Sequence, residues 1–528
     1  MSLPSWLNFD SPLFKRSVVL VSLIVSLSAW AVSSPAGSSN DDNFHLASIW
    51  CANGYQSNQC EQGNAPDSRK VPYGVATAGL CFLGNQEVTG QCASDTSVKA
   101  NSLVETSRFA SSRQIGIYYR IANLFVTSNI DVSVVLIRLL NVVVLLVLLL
   151  LGFLASRDYQ VPNLAWIFII SSIPYGNFFI ASTNSSSWLI SGIGSFWYFL
   201  LLCFRTEKTN QKYAVMGAVL AALVALSSRS EAQPYLIITI IATAIYGLRH
   251  SKQLEQRTYL IISGLVALLS IYLLRTSAAG RFAQSSFTYN DGTPIIRSAR
   301  GVFMSNIQNL PSLFLGFMGG APGIGQSDTE LASIVPWCVL VVVGFLLLGS
   351  LVSTSLRLRA AVLFIGTLLI VIPVYVLQKS LLFVGEEVQP RYILPLWVVF
   401  LGFVIYEGGS EYSRSQYVFM AILLSIANSV ALRQNLLRNT IGIDAYSVVN
   451  LNKANEWWWQ IGFIPSPMIV WVFGSLAMFV SILVLTTMHG GTGGIRTPGP
   501  FEPSAFKADA FVHSATVPLR NASARSAL

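Results

Sequence analysis

SVVLIRLLNVVVLLVLLLLGFLA, residues 133–155, is the stretch that decides the fold. Apart from Ser133, Arg138 and Asn141 it is unbroken apolar sequence, and its length matches the roughly 17–25 residues a helix needs to cross a bilayer. The rest of the chain has the same character. Hydrophobic residues make up 53%, charged residues only 11%, and mean hydropathy is +0.58. A soluble domain carries about 25% charged residues, so this chain lacks the polar surface to cover itself in water.

Runs of spanning length recur at 17–34, 133–155, 164–182, 186–204, 213–228, 233–248, 258–274, 334–352, 361–378, 392–407, 416–432 and 467–487. They predict an all-α, polytopic protein of about twelve transmembrane helices, multi-pass in the cell membrane. Residues 1–487 then form one membrane domain. The tail, 488–528, is rich in Gly, Pro, Ser and Ala without apolar periodicity, and reads as disordered.

Positive charge near span ends marks the cytoplasmic side. With the N-terminus inside, Lys15-Arg16, Arg157, Arg205 to Lys212, Arg249 to Arg257, Arg357, Arg359 and Arg414 fall in short cytoplasmic segments. Only Arg229, Lys379 and Arg391 fall in short outer ones. Both termini are therefore expected in the cytoplasm. This asymmetry absorbs much of the net charge of +9, and no basic stripe interleaved with aromatics supports nucleic-acid binding. The first span also fits a cleavable signal peptide, but the charges of 205–212 place it as a retained helix.

Three outer segments are long: 35–132, 275–333 and 433–466. Loops of this length are usually functional or disordered. The first holds Cys51, Cys60, Cys81 and Cys92, facing an oxidising compartment, and two disulfides are expected. Three pairings are open, of which the neighbour pairs Cys51 with Cys60 and Cys81 with Cys92 are simplest. Zinc lacks the Cys-x-x-Cys spacing it would need. Apolar stretches at 115–126 and 302–318 are too short or interrupted to cross, and read as interfacial helices with Tyr118, Tyr119 and Phe303 at headgroup depth.

Charge near the membrane is costly and points to function. Asp41-Asp42-Asn43-Phe44-His45 places two carboxylates and an imidazole just beyond the first span. Arg138, Arg229, Glu231, Arg275, Glu386, Glu387 and Arg391 fall near outer helix ends in the same topology. Together they suggest an outward polar cavity with carboxylates for acid–base work and guanidinium groups for phosphate. The plain alternative is that the arginines snorkel to headgroups. For the Asp pair it is a capping box, Ser39 with Asp42, opening a short helix.

The string from Ser34 to Trp50, with Pro35, Asp41-Asp42 and His45, resembles the opening of the bacterial membrane proteins of domain-of-unknown-function family 2142. Further matches follow in order: Tyr118-Tyr119, Arg138, Thr183-Asn184-Ser185-Ser186, Arg229-Ser230-Glu231, Gly325 to Thr329 with Asp328, and Gln389-Pro390-Arg391-Tyr392. Ser185, Gln326 and Pro390 depart from the family's usual proline, tryptophan and glycine.

That family resembles the GT-C glycosyltransferases. The resemblance implies a GT-C-like fold with long outer loops and an inverting transfer of sugar from a polyprenyl-phosphate donor to a glycan or lipid acceptor of the cell envelope. It implies catalytic parts for Asp41, Asp42 and His45, and substrate-binding parts for Arg138, Asn184, Arg229, Glu231, Asp328, Arg391 and Tyr392. A divalent metal, magnesium or manganese, would enter through oxygen ligands bridging carboxylate and phosphate. Membrane lipids are the surrounding partner. A transporter or flippase of a lipid-linked glycan would need the same cavity without a base, and a non-catalytic envelope assembly protein would leave the Asp pair idle.

Overall fold

The computed structural model describes residues 11–489, except 94–101, 111–115, 157–162, 205–207, 249–252, 277–296, 322, 326–328, 354, 387, 409–411, 443–448, 454–455 and 460–461. Asp328, Glu387 and the tail beyond His489 lie outside the described residues.

The stretch 133–155 belongs to the helix Ile130–Ala155, begun by Asn129, whose side chain accepts from the Val132 amide. At 1.5 Å per residue it is about 39 Å long, enough to cross the hydrocarbon core at a tilt. Among the described residues, eight helices are long and apolar enough to span: Pro12–Val32, Ile130–Ala155, Ser186–Cys203, Asn210–Ser228, Arg257–Thr276, Leu356–Ser380, Arg414–Thr440 and Pro467–Met488. Three shorter apolar helices, Ala232–Gly247, Ile334–Ser350 and Leu394–Tyr406, complete the bundle. Leu265, Leu268, Leu363 and Phe473 stand more than half exposed along the outside, a surface suited to lipid rather than water.

The helix Ser186–Cys203 is buried over its whole length. Helices Lys208–Ser228, Ala232–Gly247 and Leu394–Gly408 pack around it. A Cβ at Gly192 would meet the Ala225 amide nitrogen at 2.6 Å. Small residues at this crossing let the two backbones approach, the usual device when lipid supplies no hydrophobic drive between helices.

The run 164–182, expected as one span, is instead two short helices, Leu164–Ser172 and Tyr175–Ile180. Pro174 disfavours the helical conformation in the residue before it, and Ile173 is extended at ψ 128°. Every residue from Asn163 to Phe204 is buried, so the freed backbone groups face protein rather than lipid, where a broken helix is tolerated.

Segments that the charge pattern assigns to one side assemble together. Arg438 donates to the carbonyls of Val88, Phe82 and Asn85, tying the end of one span to the first loop. At the opposite ends, Arg16 donates to the Ser156 carbonyl. The first loop itself holds a three-stranded antiparallel sheet, Glu61–Gln62, Arg69–Pro72 and Leu103–Thr106, with Glu61 opposite Lys70 and Arg69 opposite Thr106. Disulfides join Cys51 to Cys60 and Cys81 to Cys92. Both enclose short loops, of nine and eleven residues' separation.

Of the two stretches expected at the interface, only one has that form. The helix Ala299–Phe317 exposes Phe303, Met304 and Ile307 and buries Asn306. The helix Ile117–Asn123 turns Tyr118 and Tyr119 inward, both buried, because their hydroxyls have polar partners inside.

The absolute orientation is open to a direct check. With the outer loops outside, a cysteine in place of exposed Asp67 should react with an impermeant maleimide on intact cells. One in place of exposed Ser415 should react only after permeabilisation. The reverse pattern would invert the topology.

Candidate functional site where the first loop meets the bundle

Beyond Val32 the chain makes a tight turn and re-enters the helix Asp42–Trp50. Gly37 sits at φ 90°, and a Cβ there would overlap the Gly79 backbone, so the turn needs glycine. Asp42, wholly buried, closes this turn on itself. Its Oδ2 accepts from the amides of Gly37 at 3.0 Å and Ser39 at 3.4 Å, and its Oδ1 from the hydroxyls of Ser39 at 2.8 Å and Thr183. Four donors fill the lone pairs a carboxylate offers.

Arg138 lies beneath, 1% exposed. Its guanidinium donates to the carbonyls of Ala31, Ser34 and Pro35 at 2.6–2.8 Å and stands 3.9 Å from Asp42 Oδ2. This arrangement corrects two expectations. Asp42 and Arg138 form a buried brace: four donors fill the Asp42 carboxylate, and the Arg138 guanidinium is turned toward three carbonyls of the turn it holds. Ser39 does not stand as the cap of the helix: the residue before its first turn is Asp41, which makes no side-chain cap.

Asp41 goes the other way. It adopts the left-handed conformation, φ 58°, which Asp and Asn tolerate better than most residues. Its side chain, 43% exposed, meets Arg391 at 2.5 Å and Arg108 at 3.1 Å. Burial alone would raise its pKa, but Arg391 outweighs that, with Arg108 adding to the effect, and the carboxyl is held below its ordinary value.

Arg391, 1% exposed, also donates to the Asn40 carbonyl at 3.0 Å and the Tyr392 hydroxyl at 3.2 Å. The Tyr392 ring is shared, because Arg391 and Arg229 stand 5.1 and 5.2 Å from its centre. Such cation–ring contacts hold a guanidinium without using up its donors. Arg229 pairs with Glu231 at 3.5 Å and donates to Ser186. Asn184 donates to the same Asn40 carbonyl at 2.9 Å and is fully buried, so it fixes the Asp41 backbone rather than facing outward.

His45, one turn after Asp41, is buried and hydrogen-bonded through Nδ1 to the Tyr119 hydroxyl at 2.8 Å. Burial, with Arg229 and Arg391 nearby, lowers its pKa well below 6.5, and the imidazole is neutral. Burial likewise pushes Tyr119 up to about 12. The sign for stability follows. The unfolded chain takes up a proton at His45 near 6.5 and the folded chain only at lower pH, so stability falls as pH drops from 6.5 toward the folded value. The loss is at most about 1.4 kcal/mol per pH unit. Thermal melts should show this slope in the wild type and a shallower one in His45→Gln; equal slopes would mean that His45 is charged in the fold.

The structure thus brings together Asp41, His45, Arg229, Glu231, Arg391 and Tyr392. Arg108, which the sequence offered no reason to choose, joins them. Glu386 pairs with Arg297 instead, and Arg275 is exposed at its helix end. Three guanidiniums face two carboxylates, so the site carries surplus positive charge and suits an anion.

The donors do not fit a divalent metal. Asp41 and Glu231 already pair with arginines, Asp42 has no lone pair to spare, and no group of three His, Cys, Asp or Glu side chains gathers among the described residues.

The family model described as "Predicted membrane protein (DUF2142)" matches residues 24–400, a stretch containing every one of these site residues. No curated protein and no solved structure matches the chain. On that match, the chain belongs to the DUF2142 family of predicted membrane proteins.

Proposed function

We propose that this chain is a membrane glycosyltransferase, moving a sugar from a polyprenyl-phosphate donor to a glycan or lipid acceptor of the cell envelope on the outer face. The observation that carries the reading is Asp41: a half-exposed carboxylate held by two arginines, beside a neutral imidazole, where spans meet a folded outer loop.

In the resting chain Asp41 occupies the place of an anion on Arg391 and Arg108. An incoming donor phosphate competes for both guanidiniums, with Arg229 alongside. Released from Arg391, the Asp41 carboxylate regains basicity and takes the proton of an acceptor hydroxyl. That oxygen attacks the anomeric carbon from the side opposite the phosphate, the carbon–oxygen bond to phosphate breaks, and the sugar is transferred with inversion. The departing polyprenyl phosphate keeps the electron pair, and fixed guanidiniums stabilise its growing charge.

Purified protein incubated with radiolabelled polyprenyl-phosphate sugars and envelope acceptors should yield labelled product. In Arg391→Lys the KM for donor should rise by about tenfold, because lysine keeps the charge but loses the bidentate fork. No transfer with any donor would sink the reading.

One observation favours the runner-up. Transporters build substrate sites on discontinuous helices, and the pair Leu164–Ser172 and Tyr175–Ile180 is one. A flippase would move lipid-linked glycan across vesicles without making a new glycosidic bond.

A further inference from the structure

We infer that the first outer loop carries a second binding site, a cavity for a neutral oligosaccharide. The cavity has a volume of about 430 Å³, within the range of about 300–1,000 Å³ typical of small-ligand pockets. Its walls are the side chains of Ser57, Asn58 and Gln59 on one side and Thr127 and Ser128 on the other. Trp50, Pro72 and Ile130 supply the apolar part. No lining residue is charged.

That composition selects among ligands. An anion would find no guanidinium or ammonium group, in contrast to the Asp41 site. A lipid chain would have to strip water from two amides and three hydroxyls for no return. A sugar matches these walls, because hydroxyls and amides each donate and accept, as every sugar hydroxyl does. Trp50, Pro72 and Ile130 are buried beneath them and make a firm floor. Among the described residues, the side chains of Ser57, Asn58, Gln59 and Ser128 make no hydrogen bond, so their capacity is available to a ligand.

Both walls are fastened in advance. The Cys51–Cys60 disulfide and backbone hydrogen bonds between Gln56 and Cys60 close the first. Asn58 sits there at φ 62°. In the second, the Thr127 amide donates to Ser133 and Asn129 caps the following helix. A site whose walls need no ordering loses less on binding.

Trp50 is the last residue of the helix that Asp41 precedes. Nine residues at 1.5 Å each put the cavity about 13 Å from Asp41 along that helix. An oligosaccharide of a few units, seated here, has the length to bring a terminal hydroxyl to Asp41. In naming the acceptor as a neutral glycan the inference rests on the transferase reading; in asserting binding it does not.

The test uses the purified full-length chain and neutral tetrasaccharides of glucose, galactose, mannose and N-acetylglucosamine, followed by calorimetry and saturation-transfer NMR. One class should bind saturably. Asn58→Ala and Gln59→Ala should each weaken it by about tenfold, the value of one well-made hydrogen bond, and Ser128→Trp, which fills the cavity from an exposed position, should abolish it. Binding with no transfer would leave this site standing and count against the transferase alone. No binding by any of the four, or binding indifferent to Ser128→Trp, would overturn the inference.

Discussion

Asp41→Asn is expected to lower sugar transfer by about 10²–10⁴-fold, the usual worth of a positioned general base, with thermal stability nearly unchanged. Asparagine fits the same volume and tolerates the left-handed backbone at φ 58°. It loses only the charge and the proton-accepting oxygen. The pair with Arg108 is exposed on both sides and contributes little net stability; Arg391, 1% exposed, keeps the Asn40 carbonyl and the Tyr392 hydroxyl, and the asparagine amide oxygen can still accept from it. Donor affinity should hold or tighten, since a phosphate no longer competes with a carboxylate for Arg391. A variant that transfers sugar at the wild-type rate removes Asp41 from the chemistry. One that loses donor binding as well would make Asp41 a scaffold for Arg391 rather than a base.

The adjacent aspartates show where reading from sequence stops. Both are carboxylates one peptide apart, and nothing in their spacing separates base from brace. The separation comes from a single backbone angle at Asp41 and from Thr183 and Arg138, which are remote in sequence from Asp42. Charge near a span end is legible in Arg138; that it turns to three carbonyls of the first turn is not. Arg108 lay in a polar loop with no periodicity to mark it, and reaches Asp41 across 67 residues of sequence.

The spans were the easier part, because each is a local property of an apolar run. The exception has a local cause too: Pro174 was visible in the run 164–182, but counting apolar residues takes no account of backbone angles. Tyr118 and Tyr119 were read as headgroup anchors from their amphipathic chemistry. They turn inward because Thr183 and His45 offer buried partners, and only the folded loop supplies those.

Arg138 gives the second large effect, on stability rather than rate. Arg138→Met keeps much of the apolar stem but removes three hydrogen bonds to the carbonyls of Ala31, Ser34 and Pro35 and leaves Asp42 without its buried counter-charge. Breaking a buried pair from one side costs about 3–5 kcal/mol. Arg138→Lys should recover only part, since one ammonium cannot face carbonyls on both sides of its fork. Asp42→Asn should cost less in the Arg138→Met background than in wild type, because neighbours in one network are not additive. Heat-denaturation midpoints of the three variants and the double mutant measure this directly. If Arg138→Met instead kept its midpoint and lost only donor affinity, Arg138 would be a phosphate ligand, and the buried brace would not be what holds the turn that presents Asp41.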